Sequence, residues 1–130
     1  MLDFADVLAA KLQEAGYTDA RPGKLAHLKD GGIAVRRIPS ATTARYYDGP
    51  REIAYIVQVA VAREDEEQAI GECDSILALA PFLDLHSANG SYLFTSCEPY
   101  TDTQELEIPG YPYVYECRLR AIITTTRGRI

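Results

Sequence analysis

The sequence predicts an α+β domain, a mostly antiparallel sheet of about five strands with two helices packed on one face, in the order α-β-β-β-α-β-β. Three observations predict it. Residues 53–61 are apolar at nearly every position, as in a strand covered on both faces. Segments following Asp3 and Asp65 repeat apolar residues three and four apart, as amphipathic helices do. No strand–helix–strand unit recurs, which disfavours a doubly wound parallel sheet.

The elements follow in order. Asp3 is placed to cap a first helix whose inner face is Phe4, Val7, Leu8, Leu12 and Ala15, with Lys11 and Glu14 on the wet side. Gly16 suits the position just past its end, because it accepts positive φ without a Cβ clash. Residues 25–29 and 33–38 read as two short strands around Asp30-Gly31-Gly32, and Pro39 stops the second. Residues 40–50 read as a long exposed connection. The central strand, 51–62, points Ile53, Tyr55, Val57, Val59 and Val61 one way. Ala54, Ile56, Gln58, Ala60 and Ala62 point the other. The large face is expected under the helices, and the small face under a loop or a neighbouring subunit.

Asp65, Glu66 and Glu67 then read as the first turn of a second helix, where the helix dipole favours negative charge. Its expected buried stripe is Ala69, Ile70, Cys73, Leu77 and Ala80, flanked by Ile76, and Pro81 ends it. Asn89-Gly90 turns the chain into a strand at 91–97. A loop containing Pro99, Pro109, Gly110 and Pro112 leads to the last strand, 113–125. There Tyr115, Cys117, Leu119, Ala121 and Ile123 are expected inside, with Glu116, Arg118 and Arg120 on the other face.

A length of 130 residues fits one domain, 1–130, able to bury a core without disulfide or metal. Thirteen basic against nineteen acidic side chains give a net charge of −6, which argues against a phosphate-backbone binder. Arg118, Arg120, Arg127 and Arg129 make the one candidate basic patch, read more simply as a solvated strand face and tail. Cys73, Cys97 and Cys117 are single and far apart, so zinc is not expected and reduced thiols in a cytoplasmic compartment are. No apolar run reaches the roughly 18 residues of a membrane span, and Met1-Leu2-Asp3-Phe4 lacks the basic start of an export signal.

Chemistry-bearing patterns are sparse. His27 and His86 each stand alone, without a second ligand at metal spacing. Asp84, His86 and Ser87 have the residue types of a triad, but sequence neighbours rarely converge into one. Asp65-Glu66-Glu67 is explained by a helix start better than by a cation site. Gly31-Gly32 is too short for a phosphate loop, and Ser91, Ser96 and Thr124–Thr126 lack a nucleophile-elbow context. No catalytic, cofactor or metal residue is assigned, and no enzyme is expected. Tyrosine stands out, with nine residues against three Phe and no Trp. Tyr46, Tyr47, Tyr111, Tyr113 and Tyr115 fall in or beside expected loops, where Tyr serves interfaces or, within strands, simple β-propensity.

Residues 31–125 carry a family resemblance. The run DGGIAVRRIPSATTARYYDGPREIAYIVQVAVA, the charged helix start EDEEQA, and SANGSYLFTSCEPY with its closing aromatic strand are similar to minor capsid and tail-terminator proteins of long-tailed bacteriophages and prophages. The matched features are Ile33–Arg36, a loop ending in Asp48-Gly49, the apolar strand with Gln58, the Ala-rich helix from Glu66, and the turn Asn89-Gly90-Ser91-Tyr92. The resemblance implies a structural protein of the virion, assembled in the bacterial host cytoplasm, that forms a ring, commonly a hexamer, at the head-proximal end of the tail. Its implied partners are further copies of itself, the tail tube protein and the head connector or stopper. DNA is expected to pass through such a ring without specific binding, and no membrane is involved. Arg45, Tyr46, Tyr47 and Asp48, then Tyr111 and Tyr113, are the residues expected at subunit or tube contacts. The alternatives are a small α+β ligand-binding domain or enzyme using His86 and Asp84 in a pocket between sheet and helices, or a subunit of a phage-tail-derived apparatus.

Overall fold

A computed structural model describes residues 3–24, 28, 31–38, 51–108, 110 and 113–125. Helix α1 (Phe4–Glu14) buries Phe4, Leu8, Ala9 and Leu12. It ends in a glycine cap. The Tyr17 N–H donates to the Leu12 carbonyl (2.9 Å) and the Gly16 N–H to the Gln13 carbonyl (3.1 Å), with Gly16 at φ +111°. These bonds satisfy carbonyls that the helix end would leave orphaned. The start departs from expectation. Asp3 occupies the cap position, but its side chain makes no capping bond. Its carboxylate instead accepts from the Ser87 hydroxyl (2.7 Å) and from the backbone N–H groups of Ala88 and Asn89 (2.9 and 3.1 Å). The turn offers Asp3 three donors, where a cap would satisfy a single N–H.

Strands β1 (Ala20–Pro22), β2 (Gly32–Arg37), β3 (Arg51–Arg63), β4 (Tyr92–Glu105) and β5 (Tyr113–Thr125) form one sheet in the order β1-β2-β3-β5-β4. Only β1 and β2 run parallel, so the sheet is mostly antiparallel, as predicted. The expected strand at 25–29 lies outside the described residues apart from Leu28. The fifth strand is instead β1, three residues with no apolar alternation to announce it. β4 runs eight residues past its predicted end, straight through Pro99. Pro99 is tolerated there because β4 is an edge strand, bulged at three points and paired only with β5.

Helix α2 (Glu66–Leu79) begins with Asp65 as its cap, the carboxylate accepting from the Glu67 N–H at 3.0 Å. Asp65 thus stands one step before the first turn rather than in it. The buried stripe is Ala69, Cys73, Ile76 and Ala80, with Ile70 and Leu77 half-buried, so the inner face is rotated toward Ile76 relative to the expected one. A short 3-10 turn, Ala80–Phe82, follows with Pro81 inside it.

Both helices pack on the face of β3 that carries Ile53, Tyr55, Val57, Val59 and Val61, which joins Leu119 and Ile123 of β5 in one core. Phe4 sits between Tyr55 and Tyr92, with ring centroids 5.0 and 5.8 Å away. Each large side chain buried here contributes about 1.5–3 kcal/mol.

Candidate functional site

The opposite face of the sheet is where polar chemistry collects. Register alone brings it together. Arg36 of β2 stands beside Gln58 of β3, and Gln58 beside Arg118 of β5, which faces Thr101 of β4. Arg36 Nε donates to Gln58 Oε1 (2.7 Å), and Gln58 Nε2 to Glu116 Oε1 (3.1 Å). Arg118 Nε donates to the same Glu116 oxygen at 3.0 Å. Gln58 and Glu116 are 3% and 5% exposed, so their bonds replace lost water contacts rather than add to them. One row further along, Arg120 Nη1 lies 3.6 Å from Glu98 on the edge strand.

This face is unevenly closed. At one end Ala34, Ala60, Ala62, Val114 and Leu28 form a second small core, with Leu106 and Ile108 packed on it. There the predicted cover of the small face is the chain itself. At the other end Ala54, Ile122 and Thr124 are half-buried, and Leu93 is 64% exposed. Leu93 pairs with Thr124, and Thr124 with Glu52, so these residues share the open half of the face.

Of the side chains singled out for contacts, Arg45, Tyr46, Tyr47, Asp48 and Tyr111 lie outside the described residues. Tyr113 opens β5 opposite Arg63 and is half exposed. Tyr115 donates to Glu66 Oε2 at 2.6 Å, which pushes its hydroxyl pKa up to about 12.

The residues of the enzyme alternative do not converge as a triad. His86 pairs with Asp84, whose pKa that contact lowers, and both side chains are about 70% exposed. The Ser87 hydroxyl donates to Asp3 instead. A cleft of about 370 Å³ opens at the β1–β2 end of the sheet, lined by Asp19, Arg21, Leu28, Gly31 and Gly32 among others, and so away from His86. Its carboxylate is already engaged. Arg63 forks onto Asp19 (2.6 and 3.1 Å) with one edge and onto Glu72 (2.5 and 3.3 Å) with the other. This pins the end of β3 to α2 and to the turn before β1. Among the described residues no group of three or more His, Cys, Asp or Glu could hold a metal ion, and no helix is long and apolar enough to cross a membrane. His27 lies outside the described residues.

The three thiols are buried. Contact with Cys117 and burial raise the Cys73 pKa, and burial pushes Cys97 up to about 12. These residues are core side chains, as the helix and strand patterns predicted for Cys73 and Cys117.

Sequence reading placed Gln58, Glu116, Arg118 and Arg120 on the right faces but did not join them. The signal available was Gln58 itself, the one polar residue among the inward positions of an apolar strand. No protein-family model matches this chain, and comparison with curated proteins finds no match.

Proposed function

We propose that this chain is a structural subunit of a long-tailed phage virion, a tail-terminator or minor capsid protein. It acts by associating with copies of itself into a ring, which caps the tail tube and meets the head connector. The observation that carries the reading is the half-open sheet face, where exposed Leu93 and half-buried Ala54 and Ile122 lie next to the Arg120–Glu98 pair, with Arg118–Glu116 further along the same face. An apolar area rimmed by charged pairs has the anatomy of a protein–protein contact. The resemblance of residues 31–125 to tail-terminator and minor capsid proteins supports a virion as the setting of that contact. A net charge of −6 suits a ring through which DNA slides without sticking.

Native mass spectrometry and negative-stain imaging, with and without purified tail tubes, test the reading. Rings of uniform subunit number that cap tube ends are expected. A protein that stays monomeric at high concentration and leaves tubes uncapped rules the reading out. A ring that caps a contractile or secretion tube and no phage tail assigns the chain to a tail-derived apparatus instead.

A further inference from the structure

Cys73 stands on the buried stripe of α2 and Cys117 on the helix-covered face of β5, and both are 0% exposed. Two bonds set the helix over the strand at this point. The Tyr115 hydroxyl, two residues before Cys117 on the same face, donates to Glu66 Oε2 in the first turn of α2 (2.6 Å). Thr103 Oγ1 donates to Asp74 Oδ1, next to Cys73 in the chain (2.5 Å). Thr103 lies on β4 between Thr101 and Gln104, whose partners Arg118 and Glu116 flank Cys117. Ala69 and Cys73 are small members of the helix stripe, and small side chains let a helix lie close to what it covers. The two thiols are in contact, and that contact together with burial keeps Cys73 protonated. Cys97 stands apart. It pairs with Ala121, four residues along β5 from Cys117, which separates the two cysteines by about 13 Å, beyond the roughly 4.4–6.8 Å between Cα atoms that a disulfide spans.

We propose that Cys73 and Cys117 form a reversible disulfide that staples α2 to β5, with a low-molecular-weight disulfide such as oxidised glutathione as the oxidant. One cysteine, as thiolate, attacks a glutathione sulfur; the glutathione S–S bond breaks, and one glutathione leaves and takes up a proton. The second cysteine thiolate attacks the protein sulfur of the mixed disulfide, which forms the Cys73–Cys117 bond and releases the second glutathione. Two thiols are oxidised and one disulfide is reduced, and each proton lost by a cysteine ends on a glutathione. Both thiols are closed to solvent, so the exchange takes place as the chain folds or when α2 lifts from the sheet. The proposal does not depend on the ring reading. Combined with it, the pair would be thiols during assembly in a reducing cytoplasm and a cross-link once the particle meets an oxidising medium.

Refolding the reduced chain from urea in a glutathione redox buffer tests it, followed by an acid quench, alkylation of free thiols and peptide mapping. Most chains are expected to lose two hydrogens, about 2 Da, with Cys73 joined to Cys117 and only Cys97 alkylated. The cross-linked chain should have a higher urea midpoint than the reduced one, because the closed loop restricts the unfolded ensemble, and dithiothreitol should cancel the gain. Three free thiols in most chains, glutathione adducts in place of the internal bond, or a bond to Cys97 overturns the proposal. A cross-linked chain no more stable than the reduced one overturns it equally, because the bond would then distort the packing of α2 instead of fitting it.

Discussion

Arg63 makes the most economical contact in the molecule, one guanidinium holding two carboxylates from two other elements. Its side chain is only 15% exposed, so removing it strands Asp19 and Glu72 in partly dried surroundings. Arg63→Ala is expected to cost about 1–3 kcal/mol, discounted for the exposure of Asp19, as a lowered midpoint in urea denaturation. Gln58→Ala leaves Arg36 and Glu116 without their shared partner and opens a void, and the same measurement should show a loss of about 2–4 kcal/mol. Tyrosine titration offers a local check. With Tyr115 donating to Glu66, one tyrosine should ionise near pH 12, and Glu66→Gln should return it toward its ordinary value of 10. An ultraviolet titration that finds no tyrosine moved by Glu66→Gln contradicts that bond. Little of this was legible beforehand. The pattern of the central strand marks Gln58 as a polar residue among apolar ones, but nothing in the sequence marks Arg63, and the partners of both lie on elements distant in sequence, joined only by the fold.

At the scale of elements, periodicity served well wherever a side-chain pattern dictates structure. Helix α1, strand β3 and strand β5 are where their apolar repeats placed them, because burial on a known face is what forms them. It failed where the backbone decides. β1 has no face pattern and exists because β2 offers its edge, and β4 continues through Pro99 because an edge strand needs no N–H there. The stripe of α2 is displaced toward Ile76 by how the helix docks on β5 and β3, which its own sequence does not specify. Gly16 gives a clean element-scale prediction. A Cβ placed there meets no atom within 4 Å, so Gly16→Ala has no clash to relieve and incurs only the strain of positive φ. The expected loss is about 1 kcal/mol in thermal or urea unfolding.

For the molecule as a whole, acid is the natural probe. Burial pushes the Asp3 carboxyl upward, but bonds from Ser87, Asn89 and Ala88 more than offset it, and its pKa ends below the usual 3.8. Arg63 lowers that of Asp19, again against burial. A carboxyl whose folded pKa lies below its unfolded one stabilises the fold fully above the unfolded value and ceases to as pH falls through the folded one. Stability should therefore hold at neutral pH and decline below about pH 4, with the slope of urea midpoint against pH flattened in Asp3→Asn and Asp19→Asn. The half-open sheet face, by contrast, was foreshadowed by the unequal faces of β3, although which half the chain closes for itself depends on Leu28, Leu106 and Ile108. The order β1-β2-β3-β5-β4 has one further consequence, in time rather than in energy. The central strand β3 and its neighbour β5 are separated in sequence by all of α2 and β4, so the sheet's least local pairing lies at its centre. The nucleus must close that long loop before the pairing offsets its entropy, which places folding on the order of milliseconds to seconds rather than microseconds, a range that stopped-flow refolding reads directly.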